Sequence, residues 1–134
     1  MQVTFHRAFD MTPDPFEALD TLLELGVERI LTSGQALSAL AGIELIGALQ
    51  KRAGDRLIII PAVGVNAETG PLLVRDAAVR ELHVGSAVKV RIPSGMIYKN
   101  HLVSMGGDRE QSEFDRLETS ADLVRELVQQ VNGL

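Results

Sequence analysis

The 134-residue chain is 46% hydrophobic with a mean hydropathy of +0.12, which is enough apolar matter for the core of a single domain and excludes a disordered tail. Its 13 basic residues against 18 acidic ones leave a net charge of −5, and no run of Lys or Arg forms the stripe that a nucleic-acid backbone requires. Having no cysteine, these residues form neither a disulfide nor a thiolate metal site; no stretch reaches the eighteen or so apolar residues of a membrane span, so the expectation is a cytoplasmic protein without membrane or nucleic-acid partners.

The first predicted strand covers residues 3–9 and runs into Asp10-Met11-Thr12-Pro13-Asp14-Pro15, where Asp14 can cap a helix that has Pro15 at its first position. Phe16, Leu19, Leu22, Leu23 and Leu25 then recur at spacings of three and four, and Gly26 falls where a left-handed C-cap ends such a helix. A second strand, 27–31, closes on Thr32-Ser33-Gly34. From Leu37 to Leu49 the pattern is helical, with Gly42 able to divide it and Gly54 to stop it. The third strand, 57–61, is continuously apolar, as expected of a parallel strand covered on both faces.

Residues 62–66 form a turn, Thr69 caps a helix opened by Gly70-Pro71, and a fourth strand spans 81–84. Residues 89–113 lack a sustained period and read as a long loop over the end of the sheet. A last amphipathic helix, 119–131, takes Thr119 or Ser120 as cap and turns Leu123, Val124, Leu127 and Val131 inward. The order is β-α four times, one α/β domain over 1–134. If the strands curl, it is half of a (β/α)8 barrel with every helix on one side; a flat sheet needs helices on both faces.

In such units ligands gather where the strands end. Gly64 with Asn66, and Gly85 with Ser86, stand at consecutive tips; glycine lets amides approach an anion and a helix N-terminus favours it, although both glycines also serve simply as tight turns. His6 and Arg7 are neighbours on a strand, so one of them points inward. His6, Asp10, Ser33 and His83 share one rim if the strands are parallel and in register. Soft or borderline donors for Cu(I) are His6, His83, His101, Met11, Met96 and Met105, none at a recognised ligand spacing; Met96 and Met105 read as plugs of the loop onto the rim. Asp108, Glu110, Glu113 and Asp115 read as a solvated acidic stretch.

The strings Val3-Thr4-Phe5-His6-Arg7-Ala8-Phe9-Asp10, Glu28-Arg29-Ile30-Leu31-Thr32-Ser33-Gly34, Ile60-Pro61 with Gly64-Val65-Asn66, and Glu81-Leu82-His83 with Ser86-Ala87 resemble the successive motifs of the CutC copper homeostasis proteins. Met96-Ile97-Tyr98-Lys99-Asn100 and Ser104-Met105 match as well. The resemblance implies a TIM-barrel fold of which these are the fifth to eighth βα units, a cytoplasmic location, and copper binding or homeostasis, but no defined enzymatic reaction. Family-motif positions are His6, Arg7, Asp10, Ser33, Gly34, Gly64, Asn66, His83 and Ser86. Two departures stand out: the family's glycine-rich turn is here Ala62-Val63-Gly64, and its His-any-Ser-Ala pattern gains a residue as His83-Val84-Gly85-Ser86-Ala87. The cysteines proposed as copper ligands in some members fall in the half that this chain does not match, so no metal ligand transfers.

Three readings follow. The chain is a copper homeostasis protein, with His6, His83 and Met105 as its weak metal candidates. Or it is an enzyme acting on a small phosphorylated or carboxylated metabolite at the strand-tip rim, through His6, Arg7, Asp10, Ser33, Gly34, Gly64, Asn66, His83, Gly85 and Ser86. Or it works only within something larger, since four units leave two sheet edges unpaired; the expectation is a homo-oligomer or a missing N-terminal half.

Overall fold

The computed structural model describes residues 2–93, 95, 102 and 115–133. Three strands, β1 (Thr4–Phe5), β2 (Arg29–Thr32) and β3 (Ile58–Pro61), form a parallel sheet in the order β1-β2-β3. The register sets Phe5 beside Ile30, and Ile30 beside Ile59. Helices α1 (Pro15–Glu24), α2 (Ile43–Ala53) and α3 (Thr69–Ala77) follow the three strands in turn.

Burial alternates along β2 and β3. Ile30, Thr32, Ile59 and Pro61 are buried, while Arg29, Leu31, Ile58 and Ile60 are only half-buried. Ile30 and Ile59 share one cluster with Phe9, Leu19, Leu22, Ile46, Leu49 and Leu73, so side chains of all three helices pack on the same face of the sheet. Full burial of each such side chain is worth roughly 1.5–3 kcal/mol. The third strand is therefore covered on one face, not on both, and its opposite face is apolar and open.

Several expectations need correction. The first strand ends at Phe5, because residues Arg7–Met11 form a 3₁₀ helix capped by His6, whose Nδ1 accepts from the Ala8 amide at 3.0 Å. This turn drives Phe9 into the core and removes the strand alternation expected of His6 and Arg7. Asp14 and Gly26 act as expected: Asp14 Oδ1 accepts from the Phe16 and Glu17 amides, and Gly26 has φ 73°. The second helix starts only at Ile43. Residues 35–42 are bends and turns, because Gly34 and Gly42 bring their backbones together.

Residues 81–84 form no ladder. A bond from the His83 amide to the Pro61 carbonyl at 3.0 Å, and the Arg29–Glu81 ion pair at 3.2 Å, hold them beside β3, with Leu82 and Val84 against the core. The expected loop is interrupted by β4 (Lys89–Pro93), which pairs antiparallel with β5 (Asp115–Thr119). Asp115 thus belongs to a strand, whereas Asp108, Glu110, Glu113, His101, Met96 and Met105 lie outside the described residues. Helix α4 (Ala121–Asn132) is capped by Ser120 and buries Leu127, with Leu123 and Val131 partly buried, but Val124 faces outward.

A Cβ at Gly42 would stand 2.2 Å from the Ser33 carbonyl oxygen, and one at Gly34 would stand 2.4 Å from the Gly42 oxygen. Gly26 also has positive φ but has no atom within 4 Å of the added carbon. Gly42→Ala should therefore destabilise by about 3 kcal/mol through backbone displacement. Gly26→Ala should cost only about 1–2 kcal/mol, the left-handed penalty. Urea denaturation of the two variants checks the order; equal losses would show that the 34–42 approach is unimportant.

Candidate functional site at the strand tips

The end of β1 is tied to the end of β2 by the Asp10 carboxylate. Oδ2 accepts from Arg7 Nε at 2.7 Å, Oδ1 accepts from the Thr32 hydroxyl, and the Ser33 amide stands 3.1 Å from both oxygens. The Gln35 amide reaches Oδ1 at 3.3 Å, while Gln35 Nε2 donates to the Thr12 carbonyl at 2.7 Å. Thr32 and Ser33 are fully buried, and the Asp10 side chain is 6% exposed. Burial pushes the Asp10 pKa up, but the hydrogen bonds from Thr32, Arg7, Ser33 and Gln35 together outweigh it and hold the carboxyl below its ordinary range.

This network orients Arg7. With Nε on Asp10 and Nη2 donating to Ser33 Oγ at 3.1 Å, the guanidinium is fixed in direction although 46% of the side chain is exposed. Nη1 has no partner among the described residues. Arg7 forms one wall of a cavity of about 400 Å³ whose other walls are Leu31, residues 62–66, His83 and residues 85–87.

Of the residues expected at the rim, Arg7, Gly64, Asn66, His83, Gly85 and Ser86 line this cavity. His6, Asp10, Ser33 and Gly34 do not: His6 caps the 3₁₀ helix, Asp10 and Ser33 position Arg7, and Gly34 packs on Gly42. Asn66 is occupied too. Its Oδ1 accepts from the Glu68 and Thr69 amides at 2.9 Å, so Asn66, rather than Thr69, caps α3. Thr69 Oγ1 instead donates to the Gly64 carbonyl at 2.8 Å, which braces the turn. The amides of Gly64, Val65 and Ser86 have no partner among the described residues and belong to cavity-lining residues.

Val63 and Gly64 have φ of 76° and 73°. Gly64 adopts this without penalty, but Val63 is β-branched and strained there. The strain sits on the cavity wall, where the Val63 carbonyl also accepts from the Ala39 amide at 2.9 Å. Thr32 and Gln35 are the contributors that the sequence did not single out, whereas Val63 stood out as a departure from the family's glycine-rich turn. The Asp10–Thr32 and Asp10–Gln35 contacts cross 22 and 25 residues and follow no motif spacing.

With the geometry in place, the comparisons with known proteins decide the relationship. The model of the CutC family matches residues 1–88. The chain belongs to the CutC family. It is 42% identical over 134 residues to the CutC family protein of Porphyromonas gingivalis strain ATCC 33277, covering 100% of this chain and 53% of that protein. It is 46% identical over 127 residues to that of Klebsiella pneumoniae strain 342, covering 95% and 50%. The crystal structure of CutC from Streptococcus agalactiae superposes with a TM-score of 0.59 at 32% identity, over 62% of this chain and 41% of that one. The chain spans about half the length of the curated relatives it matches.

Among the described residues no group of three or more His, Cys, Asp or Glu could hold a metal ion. His6 has Nδ1 engaged and does not line the cavity of His83, so these donors do not assemble a Cu(I) site. Among the described residues, no helix is long and apolar enough to cross a membrane.

Two outcomes follow from the network. Because the folded pKa of Asp10 is lowered, its stabilisation is complete above the ordinary carboxylate range and is lost as pH falls below about 4. Asp10→Asn should cost about 2–4 kcal/mol at neutral pH and flatten the acid limb of the stability curve; an unchanged acid limb in thermal melts would remove Asp10 from this role. Val63→Gly relieves about 1–3 kcal/mol of strain against an entropy cost of about 0.5–1 kcal/mol, so it should raise the melting temperature. A lowered melting temperature would contradict the strain assignment.

Proposed function

We propose that the strand-tip cavity binds a small anion, a phosphate or carboxylate group of a metabolite, in a protein working in the cytoplasm. The observation that carries this reading is a fixed guanidinium in one cavity lining with residues whose turn amides are unpartnered among the described residues. Arg7 is aimed by Asp10 and Ser33, and the same cavity is lined by Gly64, Val65 and Ser86, whose amides are of the kind that serves an oxyanion. His83 adds a further hydrogen-bonding group to the same wall. The α3 N-terminus contributes less than expected, because Asn66 already takes its first amides. The residues bind and orient; the chemistry performed on such a metabolite, if the cavity is catalytic, falls to a group on the ligand or to His83.

Copper homeostasis is the second reading, favoured by family membership and by the naming of the Streptococcus agalactiae relative for that role. No step is derived through copper here, since the described donors do not fit a resident ion. Anaerobic Cu(I) titration against a competing chelator tests it directly: retained copper supports the reading, and quantitative loss to the chelator removes it for this chain.

For the anion reading, isothermal titration with inorganic phosphate and with small phosphorylated and carboxylated metabolites should detect binding. Arg7→Gln should weaken it about tenfold or more, equivalent to about 1.4 kcal/mol. His83→Ala should weaken it less. Binding unaffected by Arg7→Gln would place the ligand elsewhere.

A further inference from the structure

Thr69 stands at the start of α3, half-buried and outside the lining of the strand-tip cavity. The helix does not use its hydroxyl as a cap, since Asn66 Oδ1 accepts from the Glu68 and Thr69 amides. That hydroxyl has one hydrogen to give. Two acceptors are within reach, the Gly64 carbonyl at 2.8 Å and Asn66 Oδ1 at 3.2 Å, and the second is already filled by two amides, so the hydrogen goes to Gly64. Thr69 Oγ1 in turn accepts from the Asn66 amide at 3.0 Å. One residue earlier, the Val63 carbonyl accepts from the Ala39 amide at 2.9 Å.

These bonds fix more than two carbonyls. The 63–64 and 64–65 peptides are trans, so in each the N–H points opposite to the C=O. With the Val63 oxygen turned to Ala39 and the Gly64 oxygen turned to Thr69, the Gly64 and Val65 amides are turned away from those partners. Ala39 and Thr69 lie outside the cavity lining, whereas Gly64 and Val65 belong to it. Val65 is 3% exposed with its side chain in the core, and its amide has no partner among the described residues. A buried amide without an acceptor is costly. The bond from Thr69 keeps the 64–65 peptide from rotating to relieve that cost.

We propose that Thr69 is a positioning residue of the cavity, a step that rests on the anion reading above. Its hydroxyl holds the 64–65 peptide so that the Val65 amide donates to an oxygen of the anion whose charge pairs with Arg7. Helix α3 then serves the site through one side chain and a peptide plane, while its own first amides stay with Asn66. Thr69 itself touches no ligand in this arrangement, and its whole effect is the direction of one donor.

Amide NMR of the 134-residue chain, titrated with inorganic phosphate and in parallel with acetate, tests this. As the anion that binds is added, the wild-type Val65 amide proton should move downfield and its exchange with solvent should slow. Thr69→Val keeps the side-chain shape and removes the donor; it should abolish the Val65 response and weaken anion binding about fivefold, the share of one neutral hydrogen bond. Thr69→Ser should restore both. Val131 of α4 lies against Gly70, the residue after Thr69, so Val131→Ala controls for loosening of the same helix end: it should lower the melting temperature and leave anion affinity unchanged.

A Val65 amide that does not respond while an anion still binds through Arg7 overturns the positioning role and leaves the anion reading standing. So does anion binding unaltered by Thr69→Val, a Thr69→Ser variant that restores nothing, or an equal loss of affinity in Val131→Ala. Should Thr69→Val fail to fold, the wild-type Val65 response decides alone. A wild-type chain that binds neither anion overturns both readings.

Discussion

The Asp10 carboxylate is the point at which sequence-distant parts of the rim become one object. A carboxylate offers about four acceptor positions. Here they take a guanidinium nitrogen, a threonine hydroxyl and two backbone amides, each from the β1 or β2 tip. Because the group is nearly buried, an unpaired charge there would be costly, so the donors and the acceptor need one another. The same satisfaction gives Arg7 a fixed direction, which an exposed arginine on a loop does not have. The core beneath, in which Phe9, Ile30 and Ile59 pack against three helices, sets the spacing of the tips; Asp10 sets their orientation.

Periodicity and caps made much of this fold legible. The helix after Asp14, its stop at Gly26, the parallel strands at 29–32 and 58–61, and the cap at Ser120 all depend on neighbours in sequence. What escaped depends on contacts between distant segments. His6 and Arg7 looked like strand residues because Val3, Phe5 and Phe9 are apolar, yet the imidazole capping Ala8 turns the chain into a 3₁₀ helix. The Leu37–Leu49 pattern read as helical on both sides of a possible break at Gly42; the break is there, but apolar spacing does not register that Gly34 and Gly42 must meet, which keeps residues 35–42 out of the helix. Lys89-Val90-Arg91-Ile92 does alternate, but its partner Asp115–Thr119 lies far along the sequence and nothing local to either segment names the other.

The strand-tip cavity shows the same division. Gly64, Asn66, Gly85, Ser86, Arg7 and His83 were visible as a set because all close strands or turns in successive βα units. Their roles were not visible. Asn66 is a helix cap whose amide partners are its own neighbours, and Asp10 and Ser33 serve Arg7 from outside the cavity. The replacement of a flexible position by Val63 keeps the backbone path while holding a valine at φ 76°, so the turn is retained at a cost.

The two walls of the cavity are held by different means. Arg7 stands on a buried, multiply bonded anchor, whereas His83 belongs to a segment joined to β3 by a backbone bond and to β2 by the Arg29–Glu81 pair, with Leu82 and Val84 on the core and no ladder. One side carries more hydrogen bonds than the other. For the anion proposed above, the expected order of selection is charge position first, set at the Arg7 side, and bulk second, set at the His83 side.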